Sequence, residues 1–258
     1  VIEVHNLVKK FETSKKVRKE KNTLAKTAIA VNEISFECHP GRIFSLLGPN
    51  GAGKTTTLRM LATILQPSSG SIQICGMDAV SQAQEVRKNI GFLTGSAGLY
   101  ARLTPNELLD YFAALYQVPA DIRNLRKEKL FDLLNMFDFQ NQQIGKLSTG
   151  MKQKVSICRT MIHDPEVIIF DEPTSGLDVI SAESIIQLIQ DCKSQGKTVI
   201  FSSHIMSEVD LLSDDLAIIH NGKLCYYGTM EDYRNSMQAP NLTAEFIRII
   251  HESNPKTV

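Results

Sequence analysis

Gly48-Pro49-Asn50-Gly51-Ala52-Gly53-Lys54-Thr55 stands between a short apolar run, Arg42–Leu47, and a segment, Thr55–Leu65, in which Leu58, Leu61, Ala62 and Leu65 recur at helical spacing. The octet matches G-x-x-x-x-G-K-[ST], and a strand before it with a helix after it is the setting that pattern requires. Glycines let backbone N–H groups converge on an anion, and the helix N-terminus adds positive potential. In such a loop the lysine, Lys54, reaches the β- and γ-phosphates of a nucleotide. The hydroxyl of Thr55 is a ligand for Mg²⁺.

Working outward, Gln66-Pro67-Ser68-Ser69-Gly70 stops the helix and Ser71–Cys75 is expected as a strand. Upstream, residues 1–8 and Ala28–Cys38 alternate apolar and polar, with His39-Pro40-Gly41 as a turn. Thr104-Pro105-Asn106-Glu107 is a helix start, with a Thr cap, Pro at the first position and Glu at the third. It opens a helical texture that runs from Leu103 to Phe139. Beyond it strands at Val167–Phe170, Thr198–Ser202 and Leu216–His220 alternate with helices at Ser181–Ser194 and Ser207–Leu212. Asn221-Gly222 is a hairpin turn into Lys223–Tyr227. This alternation predicts an α/β fold: a P-loop nucleotide-hydrolase core with a mostly parallel sheet, an antiparallel β lobe, and a helical lobe inserted at about 96–160.

The 258 residues are 43% hydrophobic and 22% charged, with a formal net charge of zero. That balance is ordinary for a soluble domain and argues against nucleic acid as partner. A basic stretch from Glu12 to Lys26 is expected as a solvated surface loop or loose hairpin. Cys38, Cys75, Cys158, Cys192 and Cys225 are scattered without a CxxC pair, which suits a reducing cytoplasm and buried thiols. No signal pattern opens the chain, and no apolar run approaches the roughly 18 residues a bilayer span needs. A membrane role therefore requires another chain to supply the membrane part.

The second chemical feature is Val167-Ile168-Ile169-Phe170-Asp171-Glu172. An apolar strand ending in a carboxylate is where nucleotidases place a second magnesium ligand, here Asp171. Glu172 is then placed to polarise the attacking water as general base. His204 follows the next strand and is expected beside Asp171, within reach of the γ-phosphate or the water.

Leu147-Ser148-Thr149-Gly150-Met151-Lys152-Gln153 resembles the signature motif of ATP-binding cassette (ABC) proteins, Ser175-Gly176-Leu177-Asp178 their D-loop, and Ser203-His204 their switch histidine. The resemblance spans the chain in the family's order. It implies ATP and Mg²⁺ as ligands, with Phe11 stacking on adenine. The ATP contacts are then Phe11, Gly48, Pro49, Asn50, Gly51, Ala52, Gly53, Lys54, Thr55 and Thr56. It further implies that two cassettes close head to tail, so that Ser148, Gly150 and Asp178 meet the ATP held by the opposite subunit. The cassette is expected over 1–235, with a helical tail over 236–258. Thr149 and Met151 stand where Gly and Gln are commoner, and Gly95, followed by Ser96, stands where family members present a Gln that touches Mg²⁺.

Arg59–Leu65, Gly98–Thr104, Leu147–Val155 and Asn241–Phe246 are similar to the sodium-export branch of bacterial cassettes and its drug-export relatives. The expected function is thus an ATPase subunit of an exporter. It would work with a multi-span permease on a separate chain, at the cytoplasmic face of the membrane, with sodium ions as the first cargo to consider. Export of a drug, antibiotic or lipid, and a weakly hydrolysing regulatory cassette, are the alternatives. A soluble cassette acting on ribosomes or DNA is disfavoured by the single cassette and the lack of excess basic charge.

Overall fold

The computed structural model describes residues 1–12, 27–94 and 98–253. The elements in chain order are β1 (Ile2–Glu12), β2 (Thr27–Cys38), β3 (Ile43–Leu47), α1 (Lys54–Leu61), β4 (Ser69–Ile74), β5 (Met77–Asp78), α2 (Ala83–Asn89) and β6 (Ile90–Leu93). The helices α3 (Pro105–Leu115), α4 (Ala120–Leu133) and α5 (Thr149–Met161) follow. The second half holds β7 (Val167–Asp171), α6 (Val179–Ser194), β8 (Thr198–Ser203), α7 (Met206–Leu212), β9 (Asp215–His220), β10 (Lys223–Thr229), α8 (Met230–Asn235) and α9 (Leu242–Glu252).

Two sheets form. One is antiparallel with the order β2-β1-β4-β5, and the other has the order β10-β9-β3-β8-β7-β6. In the second, every pairing is parallel except the β9–β10 hairpin. The α/β expectation with an antiparallel β lobe is met. β3 and β7 are buried at all five positions each. Side chains alternate across a strand. Ile168 and Phe170 accordingly join a core shared with α3–α6, while Val167 and Ile169 join a second core with α1, β1, β2 and β4. Both faces are covered, so these strands are buried and largely apolar on both sides rather than alternating, with Ser45 and Asp171 as the polar exceptions.

Local chemistry explains most boundaries. The Thr104 hydroxyl accepts from Glu107 N at 3.2 Å, and Thr104 N donates to Glu107 Oε2 at 2.8 Å, completing the capping box ahead of α3. His220 and Lys223 face each other across the turn, with Asn221 at φ 48° and Gly222 at φ 77°, the backbone a two-residue hairpin needs. The tail helix α9 is tied down by the buried Glu245. Its carboxylate accepts from Arg248 and from the backbone N–H groups of Gln238 and Ala239. Those donors hold it down at about 2, with the Arg248 guanidinium the largest influence.

Two expectations need correction. β1 continues past residue 8 to Glu12, because β2 pairs with it as far as Thr27. The helix expected over 55–65 ends at Leu61, since Thr63 takes a left-handed φ of 59° that no helix continues. The short elements β5 and α2 were not anticipated. The basic stretch beyond Glu12 and the Gly95-Ser96 departure lie outside the described residues. Among the described residues no helix is long and apolar enough to cross a membrane.

Candidate functional site

β3 delivers the chain into the glycine loop at the carboxyl edge of the parallel sheet, and α1 leaves it. Gly53 caps α1 with φ 112°, a conformation that L side chains rarely adopt, and a Cβ there would lie 2.5 Å from the Ala30 carbonyl. The loop is also braced from outside: Gly222 N donates to Ala52 O at 2.9 Å, and Asn32 N to Gly222 O at 2.8 Å. The hairpin turn between β9 and β10 is thus a support for the loop, a tertiary role its sequence did not announce. Phe11 pairs with Ala28, two residues before the Ala30 carbonyl that abuts Gly53, and its side chain is exposed.

Lys54 is buried, and its ammonium donates to the carbonyls of Gly48 at 2.6 Å and Pro49 at 3.3 Å. Burial lowers its pKa and the neighbouring Glu172 opposes that shift. From the sheet side come Asp171, at the last position of β7, and Glu172 just beyond. The Thr55 hydroxyl donates to Asp171 Oδ1 at 3.1 Å, so the two expected magnesium ligands adjoin. Glu172 Oε1 lies 3.6 Å from Lys54 Nζ and 3.3 Å from His204 Nδ1. Glu172 itself has φ 50°, a left-handed backbone uncommon outside glycine and concentrated at functional sites.

Residues that sequence reasoning passed over hold this group. The fully buried Ser202 hydroxyl donates to Asp171 Oδ1 at 2.7 Å and accepts from Glu172 N at 3.1 Å. One side chain therefore orients both carboxylate residues, an effect of the register Asp171↔Ser202 between β7 and β8. The only hint in the sequence is the change from apolar to hydroxyl residues at Ser202-Ser203. Gln153 on α5 donates to Pro173 O at 2.9 Å and links the signature helix to the turn after Glu172.

Ser148, Gly150 and Asp178 form a second group. Ser148 caps α5, accepting from Met151 N at 3.2 Å. Asp178 caps α6, accepting from Ser181 N and Ser181 Oγ, both at 2.9 Å, and these donors lower its pKa. A Cβ on Gly150 would come within 3.4 Å of Ser181 Oγ, so the two helix starts adjoin. Among the described residues no hydrogen bond or ion pair joins Ser148, Gly150 or Asp178 to Lys54, Thr55, Asp171, Glu172 or His204. Thr56, beside Thr55 in the first turn of α1, is half-buried.

A loop of convergent backbone donors, a buried lysine, two adjoining hard oxygen ligands and a carboxylate–histidine pair suit nucleotide phosphate and its hydrolysis. Comparison with known proteins agrees. Residues 31–175 match the ABC transporter family model. The chain is 42% identical over 240 residues to the ABC transporter ATP-binding protein NatA of Bacillus subtilis, covering 93% of this chain and 94% of that one. It is 38% identical over 200 residues to the bacitracin transport ATP-binding protein BcrA of Bacillus licheniformis, covering 76% of this chain and 63% of that protein. A solved structure of the ATP-binding subunit of an ABC transporter superposes with a TM-score of 0.84 at 25% identity, covering 96% of this chain and 99% of that one. The chain belongs to the ABC transporter family, as an ATP-binding, ATP-hydrolysing subunit.

Proposed function

We propose that the chain is the motor of an exporter, binding ATP through Phe11 and the loop Gly48–Thr56. Glu172 acts as general base and His204 orients the γ-phosphate and the water. The observation that carries this reading is the place of Glu172 Oε1, between Lys54 Nζ at 3.6 Å and His204 Nδ1 at 3.3 Å. A water between Glu172 and the γ-phosphate loses its proton to that carboxylate as the oxygen attacks phosphorus and ADP leaves. Lys54 meets charge on the β- and γ-phosphates.

Thr55 and Asp171 would hold Mg²⁺. A hydroxyl and a carboxylate side by side are hard oxygen donors of the kind magnesium takes together with phosphate oxygens and water. Bound there, the ion neutralises charge on the phosphates. Ser202 keeps Asp171 oriented as an acceptor.

The site is completed by a second cassette, whose Ser148 and Gly150 backbone meet the γ-phosphate from across the dimer, while its Asp178 sits at the seam and reports on the opposite site. Ser148, followed by Thr149 and Gly150, sits at the start of α5, which suits contact with an anion through backbone N–H groups. Closure on ATP and release on hydrolysis move a separate multi-span permease, with the cassette, residues 1–235 and its tail at 236–258, held peripherally at the cytoplasmic face. Sodium is the cargo implied by the likeness of Arg59–Leu65 and Gly98–Thr104 to sodium-export cassettes. Antibiotic export is the second reading, favoured by the 38% identity to a bacitracin transport protein. Glu172→Gln should stop turnover while ATP-bound dimers accumulate; wild-type turnover in that variant would refute the assignment. Stimulation of the reconstituted pair's ATPase by sodium, against bacitracin, separates the two cargoes.

A further inference from the structure

We infer that Glu208 is a positioning residue that sets the separation of Glu172 and His204; the inference rests on the roles proposed above for those two. β7 and β8 are paired neighbours, and the chain leaves them in two loops, one carrying Glu172-Pro173-Thr174 and the other His204. Glu208, on α7, reaches both. Its Oε1 accepts from Thr174 Oγ1 at 2.5 Å and its Oε2 from Ser203 Oγ at 2.8 Å. Ser203 Oγ accepts in turn from Ile205 N at 3.0 Å. His204 is therefore held on both sides, by Ser203 before it and Ile205 after it. Glu172 is tied to the same carboxylate through Thr174, two residues on. Thr174 and Ser203 are buried, at 8% and 2% exposure, so these hydroxyls have little access to competing water.

An acidic residue in the first turn of a helix also interacts favourably with the helix dipole, and that is the plainer account of Glu208. The side-chain directions decide between the two. Glu208 takes no backbone N–H of its own helix. Both its oxygens leave α7, each to a hydroxyl on a different loop. Among the described residues it forms no ion pair, so its charge is met by those hydroxyl donors, in charge-assisted bonds stronger than neutral ones. On the opposite side Ser202 fixes Asp171 and Glu172 N. Consecutive serines on β8 thus face opposite ways, one orienting the carboxylates and one the histidine loop.

The test compares Glu208→Ala, Glu208→Gln, His204→Ala and the double variant by steady-state ATPase kinetics, with thermal midpoints as a check on folding. Glu208→Ala should lower kcat by about ten- to hundredfold with KM for ATP within about twofold, because positioning acts on the reaction and not on binding. Glu208→Gln, which keeps one acceptor oxygen and the side-chain length, should recover part of the loss. Adding Glu208→Ala to His204→Ala should cost less than the product of the two single losses, since the histidine arm is already gone and only the Thr174 arm to Glu172 is left to lose. Wild-type kcat in a folded Glu208→Ala, or losses that multiply in the double variant, would overturn the inference while leaving the roles of Glu172 and His204 intact. Wild-type turnover in His204→Ala would instead remove the reading on which it rests. If Glu208→Ala is recovered unfolded, Thr174→Val takes its place: it keeps the shape, deletes one donor to Glu208, and should show the same split between kcat and KM. An unchanged kcat there would overturn the inference equally.

Discussion

The Lys54 ammonium lies 3.6 Å from the Glu172 carboxylate, joining the glycine loop after β3 to the end of β7, two strands away, across a site in which the lysine is only 5% exposed. The pair draws together the two groups proposed for the chemistry, the lysine of the glycine loop and the carboxylate after β7. Lys54→Ala removes a buried, hydrogen-bonded charge. The expected loss in ATP affinity is about 2–5 kcal/mol, the range for truncating one member of such a contact. A fluorescent ATP analogue titrated at equilibrium measures it. Unchanged affinity would contradict the placement of phosphate at Lys54.

Asp171 is gripped differently. Thr55 and Ser202 both donate to its Oδ1, at 3.1 and 2.7 Å, which keeps that oxygen an acceptor facing the loop. Asp171→Asn retains the shape and removes the negative charge. Half-saturation of ATPase by Mg²⁺ should rise by roughly tenfold or more, the scale on which metal sites respond to lost ligand character. Nucleotide binding measured in EDTA should change little. A magnesium titration superimposable on wild type would exclude Asp171 as the ligand.

These two predictions rest on features that differ in how visible they were before folding. Lys54, Asp171 and the Asn221-Gly222 turn were legible because their signals are local: a glycine-rich loop, an apolar run closed by carboxylates, a dipeptide suited to positive φ. The capping box at Thr104–Glu107 was legible for the same reason, all its partners lying within four residues. Ser202 was not, because its partners belong to β7 and are set by strand register rather than by neighbouring sequence. The end of α1 at Leu61 was missed because the apolar periodicity runs on through Leu65, while the left-handed turn at Thr63 depends on how the chain leaves for β4. The support that Gly222 gives Ala52 is likewise a product of tertiary approach.

His163 links stability to pH. Its Nε2 is 3.1 Å from Ile90 O, its ring stacks on Tyr116 at 3.8 Å and 10°, and its buried Nδ1 has no hydrogen-bond partner among the described residues. Burial is the main cause that pushes its pKa down to about 4. The unfolded value is about 6.5, so between those limits the unfolded chain binds more protons than the folded one and stability falls as pH falls. The contribution reaches about 2 kcal/mol by pH 5 and levels off below pH 4. His163→Phe keeps the stack without the titration. Urea midpoints at pH 7.5 and pH 5 should therefore differ less in His163→Phe than in wild type; equal pH slopes would dismiss this origin.

Gly53 separates two costs that glycine substitutions usually mix. Its φ of 112° would strain any L residue, and a Cβ would also sit 2.5 Å from Ala30 O, a backbone atom held within β2 that cannot rotate away. Gly196 offers the control, with φ 79° and nothing within 4 Å of an added Cβ. Gly196→Ala should lose about 1 kcal/mol from backbone strain alone, with ATP binding intact. Gly53→Ala carries that strain and the clash together, and because α1 begins at the next residue, relief requires moving the loop whose N–H groups would face the phosphates. ATP affinity should collapse in Gly53→Ala by more than its loss of thermal stability accounts for. Parallel melting and nucleotide-binding curves for the two variants make the comparison. Equal effects on binding would mean that the close approach of Ala30 does not shape the loop.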